Sequence, residues 1–341
     1  MKKSILNTSL ILALFQLTAC NSNTTTTTTH YNIEDEPYFK YAWHFDSNSS
    51  FSRHYNINQD ADIDIKEAWK ITKGAGVVVA IIDDAFEANH EDLKENVILT
   101  HSIDYGTSDV SKTIKDTPLH GSTVAGFIAS PANGKGLVGA APEAKLILIQ
   151  QSFDYDSDII KAFEYAKNTS AKVINCSWGS ENVSQSVAAA IKESKDAGIT
   201  IIFASGNSGK SLDFGINDES ELDTVIGVGA SDELNNIASY SNYGKYIDVI
   251  APGGDLGYLG LLGIDNSGES GSELQRAIVN NNYAFVNGTS FAAPITAGVV
   301  ALMISVNPSL TPDQIREILI QSADTNEKID AFKAVKIARD Y

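Results

Sequence analysis

Val77-Val78-Val79-Ala80-Ile81-Ile82-Asp83-Asp84 is a run of six apolar residues, mostly β-branched, closed by two carboxylates. A strand with one wet face alternates polar and apolar residues. This run does not alternate, which predicts a strand buried on both faces, as in a parallel sheet covered by helices. Functional groups in such sheets collect beyond the carboxyl ends of the strands, where Asp83 lies. Outward from this run, apolar stretches at 145–150, 172–177, 199–204 and 224–229 alternate with helical stretches at 157–168, 184–197, 290–305 and 312–322. The alternation predicts one α/β unit with three layers, a mostly parallel central sheet flanked by helices. The length of 341 residues allows one large domain or two small ones.

Three further stretches place reactive side chains at strand ends or helix starts. His120-Gly121-Ser122-Thr123-Val124-Ala125-Gly126 puts a histidine in the first turn of a helix made slim by small residues. Asn287-Gly288-Thr289-Ser290-Phe291-Ala292-Ala293-Pro294 does the same for Ser290, with Pro294 expected in the first helical turn, where a missing N–H costs nothing. Ile201-Ile202-Phe203-Ala204-Ser205-Gly206-Asn207 is an apolar strand ending in a polar turn. A serine hydroxyl attacks a carbonyl only if a base takes its proton, and an imidazole does so well when a carboxylate fixes its tautomer. Asp83, His120 and Ser290 are the residue types such chemistry requires.

These stretches resemble the active-site motifs of the subtilisin-like serine proteases, in that family's chain order Asp, His, Ser, over Asp60 to Ala338. The resemblance implies a subtilisin-like fold and a serine endopeptidase with catalytic Asp83, His120 and Ser290. It implies that Asn207 donates its side-chain N–H to the oxyanion. It further implies that Ser177-Trp178-Gly179, after the strand Val173-Ile174-Asn175-Cys176, pairs with the substrate backbone, and that Ala204, Ser205 and Gly206 wall the specificity pocket. Within the family, Ile82-Asp83-Asp84, Asn89-His90-Glu91-Asp92-Leu93, Ser177-Trp178-Gly179, Ile63 to Trp69, and Glu36-Pro37-Tyr38-Phe39 with Trp43 are similar to the kexin/furin-type convertases. By that likeness Asp84 faces the substrate residue preceding P1, or else it is a solvated carboxylate. The chain departs from the convertases after Trp178-Gly179, where Asn182 stands at the place of their P1-binding acid. Asn217 and Asp218 align with the pocket floor in a register open by one residue.

The same resemblance brings calcium as an expected structural cofactor. Glu36 and Asp92 match two acidic positions of one convertase site, and Pro131-Ala132-Asn133-Gly134-Lys135-Gly136 resembles the loop that completes it, with Asn133 as a side-chain ligand. The other reading has Asp92 capping a turn and the loop rich in glycine because it bends sharply. None of the six histidines has the helical spacing of a transition-metal site.

The N-terminus reads as an address. Met1-Lys2-Lys3 is a short basic region, and Ile5 to Leu17 is mainly apolar but too short to span a bilayer. It ends in Leu17-Thr18-Ala19-Cys20, which resembles a bacterial lipoprotein signal (residues 1–19) cleaved before a cysteine that becomes lipid-modified, with an ordinary secretory signal as the alternative. Asn21 after Cys20 points to the outer membrane in an organism with two membranes, and otherwise to a lipid-anchored cell-envelope protein. Residues 20–32, with six consecutive threonines, form a polar tether that cannot build a core. Residues 33–59, rich in aromatics from Tyr38 to Phe45, are expected to dock as an arm on a peptidase domain at 60–341. The segment between Cys20 and Ile63 is too short for a folded propeptide.

Net charge is −18 at pH 7. That disfavours nucleic acid as a partner and suits either basic peptides or plain solubility. Cys176, in an apolar strand, reads as a buried inert thiol. Leu256 to Tyr283, long for a connection and rich in glycine and serine, reads as a lid or as a surface loop. Two functions remain: a membrane-tethered endopeptidase acting on exported or cell-surface proteins, and a catalytically silent binding lipoprotein on a protease scaffold. The presence of Asp83, His120, Asn207 and Ser290 together favours the first.

Overall fold

The structure, a computed structural model, describes residues 32–111, 120–180, 182–213, 217–255, 259–267 and 282–341. The signal, Cys20 and the threonine run lie outside the described residues, as do 256–258 and 268–281 of the long connection.

Two short helices, α1 (Ser50–His54) and α2 (Ile65–Trp69), precede a seven-stranded sheet. Its strands are β1 (Val78–Asp83), β2 (Val97–Ser102), β3 (Lys145–Gln150), β4 (Val173–Cys176), β5 (Thr200–Ala204), β6 (Ile226–Ser231) and β7 (Val249–Pro252). They lie in the order β2-β3-β1-β4-β5-β6-β7, with all neighbours parallel. Because strand side chains alternate between faces, β1 feeds two separate cores: Val79 and Ile81 enter one, Ala80 and Ile82 the other. Helices α4 (Asp156–Lys167) and α5 (Gln185–Asp196) cover the second face through Ile159, Phe163, Val187 and Ile191. The first face is covered by α3 (His120–Ala129), α6 (Thr289–Val306), α7 (Pro312–Ser322) and α8 (Ala331–Asp340). The fold is the expected three-layer, subtilisin-like α/β arrangement.

Helix boundaries follow their caps. Ser184 accepts the Val187 N–H and starts α5, and Thr311 with Gln314 forms a capping box at α7. Strand β2 escapes the apolar-run reading because it is the sheet edge, where Ile98 and Leu99 are exposed and only Ser102 is buried. Among the described residues, α6 is the one helix long and apolar enough to cross a bilayer, but 83% of it is buried in the protein. It is the central core helix.

Residues 33–59 belong to the same compact unit as the sheet, Tyr31–Tyr341. Phe39, Trp43 and Phe45 are buried there; the Trp43 indole donates to the Gly260 carbonyl at 3.1 Å, and Phe45 packs edge-on against Trp69. The ends of the long connection pair as an antiparallel hairpin, β8 (Leu261–Ile264) with β9 (Tyr283–Val286). The hairpin rests on α3, where the Thr123 hydroxyl donates to the Ile264 carbonyl at 2.7 Å.

Candidate active site

The carboxyl ends of three adjacent strands, β1, β4 and β5, deliver Asp83, Ser177 and Asn207 to one crevice, and the N-termini of α3 and α6 bring His120 and Ser290. Asp83 is buried. Its Oδ1 lies 2.8 Å from His120 Nδ1. A carboxylate only accepts, so Nδ1 carries the hydrogen and the neutral ring keeps its lone pair on Nε2. Burial alone would lower the imidazole pKa, but the charge and hydrogen bond of Asp83, with the charge of Asp84, raise it to about 9. Asp84 is itself pushed up to about 6, chiefly by burial and then by Asp83, and it accepts the Gly121 N–H at 3.4 Å. Ligand atoms of Asp83, Asp84 and His120 come within 4.8 Å of one another. The histidine nitrogen nearest the carboxylate is a proton donor, however, which suits a hydrogen-bonded pair rather than a metal site.

Ser290 is the second residue of α6, so its backbone N–H has no partner within the helix. Its hydroxyl donates to the Ser177 carbonyl at 3.1 Å, and the Ser177 hydroxyl donates to the Ser290 carbonyl at 2.7 Å. Pro294 is not in the first turn as expected, because α6 begins at Thr289 and Pro294 is its sixth residue. Its missing N–H is the one that would have bonded the Ser290 carbonyl, four residues earlier, which leaves that carbonyl to Ser177. Asn207 Oδ1 accepts both the N–H and the hydroxyl of Thr289, each at 2.9 Å. This fixes the flip of the amide: the oxygen faces Thr289, and the NH₂ faces the crevice. Thr289, quoted in the serine stretch without a role, sets that orientation.

A cavity of about 420 Å³ opens beside Ser290. Ser177, Trp178 and Gly179 form one wall, Ala204, Ser205 and Gly206 the other, with Asn207 and Ser290 at the mouth. All but Asp84 of the residues assigned to substrate contact line it. The floor carries Asn217, Asp218 and Glu221. Asp218 abuts Gly179 so closely that a Cβ there would stand 2.4 Å from Asp218 Oδ2. The carboxyl of Asp218 is raised to about 6, first by burial. Asn182 is not among the lining residues; among the described residues the acids that line the cavity are Asp218 and Glu221.

Glu36, Asp92 and Asn133 do come together away from this crevice. Glu36 Oε1 accepts the Gly134 N–H at 2.8 Å; Asp92 Oδ2 accepts the Leu137 N–H at 2.7 Å and the Tyr283 hydroxyl at 2.9 Å. The other oxygens, Glu36 Oε2 and Asp92 Oδ1, are buried without a hydrogen-bond partner. Both carboxyls are raised to about 7, first by burial and, for Asp92, also by the charge of Glu36. Asn133 Oδ1 accepts the Lys135 N–H, which leaves it a second lone pair. Two buried carboxylates with orphaned oxygens fit a hard, oxygen-seeking cation. Tyr283 was not foreseen there, because it reaches the cluster from β9.

Residues 74–335 match the family model of the subtilase family, peptidase S8. The chain is 32% identical over 267 residues to a thermophilic serine proteinase of Bacillus sp. (strain AK1), covering 75% of this chain and 59% of that protein. It is 33% identical over 258 residues to subtilisin DY of Bacillus licheniformis, covering 74% and 85%. A solved protease from Pseudoalteromonas arctica superposes with a TM-score of 0.77 at 27% identity, over 90% of this chain and all of that one. The chain belongs to the subtilase family of subtilisin-like serine proteases.

Proposed function

We propose that the protein is a serine endopeptidase that cleaves peptide bonds through an acyl-enzyme. The observation that carries this reading is the Asp83–His120 pair at 2.8 Å beside a serine at a helix N-terminus, with the Asn207 NH₂ turned toward it. Rotation about χ1 passes the Ser290 hydroxyl from the Ser177 carbonyl to His120 Nε2. The imidazole takes the proton as Oγ bonds to the carbonyl carbon, and Asp83 stabilises the imidazolium. The oxyanion is met by the Ser290 N–H, the Asn207 NH₂ and the positive end of α6. His120 then returns its proton to the leaving amine. Water, deprotonated by the same imidazole, releases the acid product and restores Ser290.

The acidic cavity is the acceptor of the P1 side chain, and its floor favours Lys or Arg; Asp84 extends the negative potential toward P2. Glu36, Asp92 and Asn133 hold a structural calcium ion that pins the arm to the loop 131–137. The chain is anchored to the cell envelope through acylated Cys20, which directs it to exported or cell-surface proteins within reach of the tether. Ser290→Ala, which removes only the nucleophilic oxygen, tests the activity: peptide hydrolysis should fall by about 10⁴–10⁶, as in subtilisins. A serine-directed fluorophosphonate should label the wild type and spare the variant. Near-wild-type hydrolysis by the variant would sink the assignment of Ser290 as nucleophile, whereas a wild type that is neither labelled nor active would leave a binding protein on a protease scaffold.

A further inference from the structure

Glu219 is completely buried directly behind the cavity floor. It begins a single 3₁₀ turn, Glu219–Glu221, whose preceding residue Asp218 caps it by accepting the Ser220 N–H. The carboxylate of Glu219 does not line the cavity and bonds instead to the segment that follows the wall 177–179. Its Oε2 accepts the Ser180 N–H at 2.8 Å and its Oε1 accepts the Ser180 hydroxyl at 2.7 Å. Ser180 directly follows Ser177-Trp178-Gly179, which forms that wall. Glu219 therefore ties floor and wall with two hydrogen bonds, between residues 39 apart in sequence. A backbone bond from the Val183 N–H to the Asn217 carbonyl, 2.8 Å, flanks the tie on its other side.

The join is tight. Asp218 sits against Gly179 with no room for even one methyl group between them. A small outward movement of residues 177–180 would thus separate the Asp218 carboxylate from the wall it closes and widen the cavity at its base. The wall end of the tie is also anchored to the reacting centre, since Ser177 exchanges two hydrogen bonds with Ser290. Glu219 contributes no atom to the cavity surface, which excludes direct contact with a bound side chain.

We propose that Glu219 is a positioning residue for peptide hydrolysis: it clamps Ser180 so that the wall 177–179 and the floor at Asp218 close on the P1 side chain in register with Ser290. The proposal rests on reading the cavity as the acceptor of P1. Only the geometry of the two bonds matters for the clamp. Glutamine reproduces that geometry, its oxygen accepting from the Ser180 N–H and its NH₂ donating to the Ser180 hydroxyl oxygen, whereas alanine leaves both donors unpaired.

The test first profiles the wild type against peptides that vary only at P1, which examines the P1 reading by itself and supplies the preferred residue. Glu219→Ala, Glu219→Gln and Ser180→Ala are then compared on the preferred peptide, on a peptide with Ala at P1, and by the rate of labelling with a small fluorophosphonate. Misplacement of about 1 Å costs about a hundredfold in rate. Accordingly Glu219→Ala should lose about ten- to hundredfold in kcat/KM on the preferred peptide, and much less on the Ala peptide. Its labelling rate should stay within about threefold of the wild type, since the small probe needs no clamped pocket. Glu219→Gln should restore the preference, and Ser180→Ala, which keeps the backbone N–H, should fall between. If Glu219→Ala does not fold, the other two variants still decide. A glutamine variant as impaired as the alanine variant, a Ser180→Ala variant with unchanged kcat/KM, or labelling that falls in step with hydrolysis would overturn the clamp. A wild type without P1 preference would overturn the P1 reading instead.

Discussion

The Ser177 hydroxyl donates to the Ser290 carbonyl at 2.7 Å, at the place that Pro294 leaves open four residues further along α6. A helix interior normally pairs each carbonyl with the N–H four residues on, and proline has none. The gap holds the peptide unit of Ser290, the proposed nucleophile, against the segment that follows β4. Ser177→Ala should leave that carbonyl without its partner, a cost of about 1–3 kcal/mol. We expect kcat/KM to fall by about one decade, since 1.4 kcal/mol is tenfold. Ser177→Ala with Pro294→Ala, which returns an N–H to the helix, should recover part of the loss. A fall in Tm with kcat/KM unchanged would assign the bond to stability alone.

The second prediction concerns pH. His120 must be neutral to accept a proton, and kcat/KM follows the free enzyme's ionisation. Burial lowers its pKa, but Asp83 and Asp84 outweigh burial and carry it to about 9. The acidic limb of kcat/KM should therefore lie on the alkaline side of an ordinary histidine. Asp84→Asn removes a negative charge that favours imidazolium, so the limb should move to lower pH. On a peptide with no charge at P2, the variant should then be more active than the wild type at neutral pH. A limb at the same pH in both proteins would remove Asp84 from the electrostatics of the triad.

Much of this was readable from the sequence because the relevant residues carry their own context. The apolar run before Asp83, the small residues after His120 and Ser290, and the turn at Asn207 each specify a strand end or helix start as well as a side chain. What escaped depends on contacts between distant segments. Thr289 turns the Asn207 amide across 82 residues, and Tyr283 reaches Asp92 across 191. The acidic floor was ambiguous because Asp218-Glu219-Ser220-Glu221 alternates between cavity and interior only once its 3₁₀ turn is formed. Pro294 falls beyond the first turn because the helix starts at Thr289, directly after Gly288 with φ of +145°, so that Pro294 is its sixth residue.

The third prediction is the effect of removing calcium. A cation bound by Glu36 Oε2 and Asp92 Oδ1 would join the arm to the loop 131–137 and stabilise only the folded state. At a hundred times its Kd it contributes about 2.7 kcal/mol. Chelation should lower Tm by several degrees, and readdition of calcium should restore it. Asp92→Asn should lower the starting Tm and abolish the response. A wild type whose Tm ignores both chelator and calcium would leave the two carboxylates as a hydrogen-bonded cluster without an ion.

The fourth concerns Cys20, motivated by Leu17-Thr18-Ala19-Cys20 behind a short apolar run. The mature protein should begin at Cys20, with an intact mass that includes acyl chains, and should fractionate with membranes. Cys20→Ser should release it or block its maturation. An unacylated mature wild type would end the anchor proposal without touching the peptidase.

The last prediction is specificity at P1. Asp218 and Glu221 line the floor, and burial, with the charges of Glu219 and Glu221, raises Asp218 to about 6. A P1 cation pairs with Asp218 only when the carboxyl is ionised. The preference for Lys or Arg over Ala should thus be full only well above pH 6 and fade as pH falls through about 6, beyond any loss caused by His120. Both peptides share the loss at His120, so the ratio of their kcat/KM values isolates Asp218. A charge-assisted hydrogen bond contributes about 1.5–3 kcal/mol, so Asp218→Asn should cost the Arg peptide about one to two decades and the Ala peptide little. Glu221→Gln, whose carboxylate also caps the Asn217 N–H, should cost less. Equal kcat/KM for Arg and Ala peptides in the wild type at pH 8 would show that the acids at the floor are spent on the turn, and would leave an apolar P1 preference set by Trp178 and Ala204.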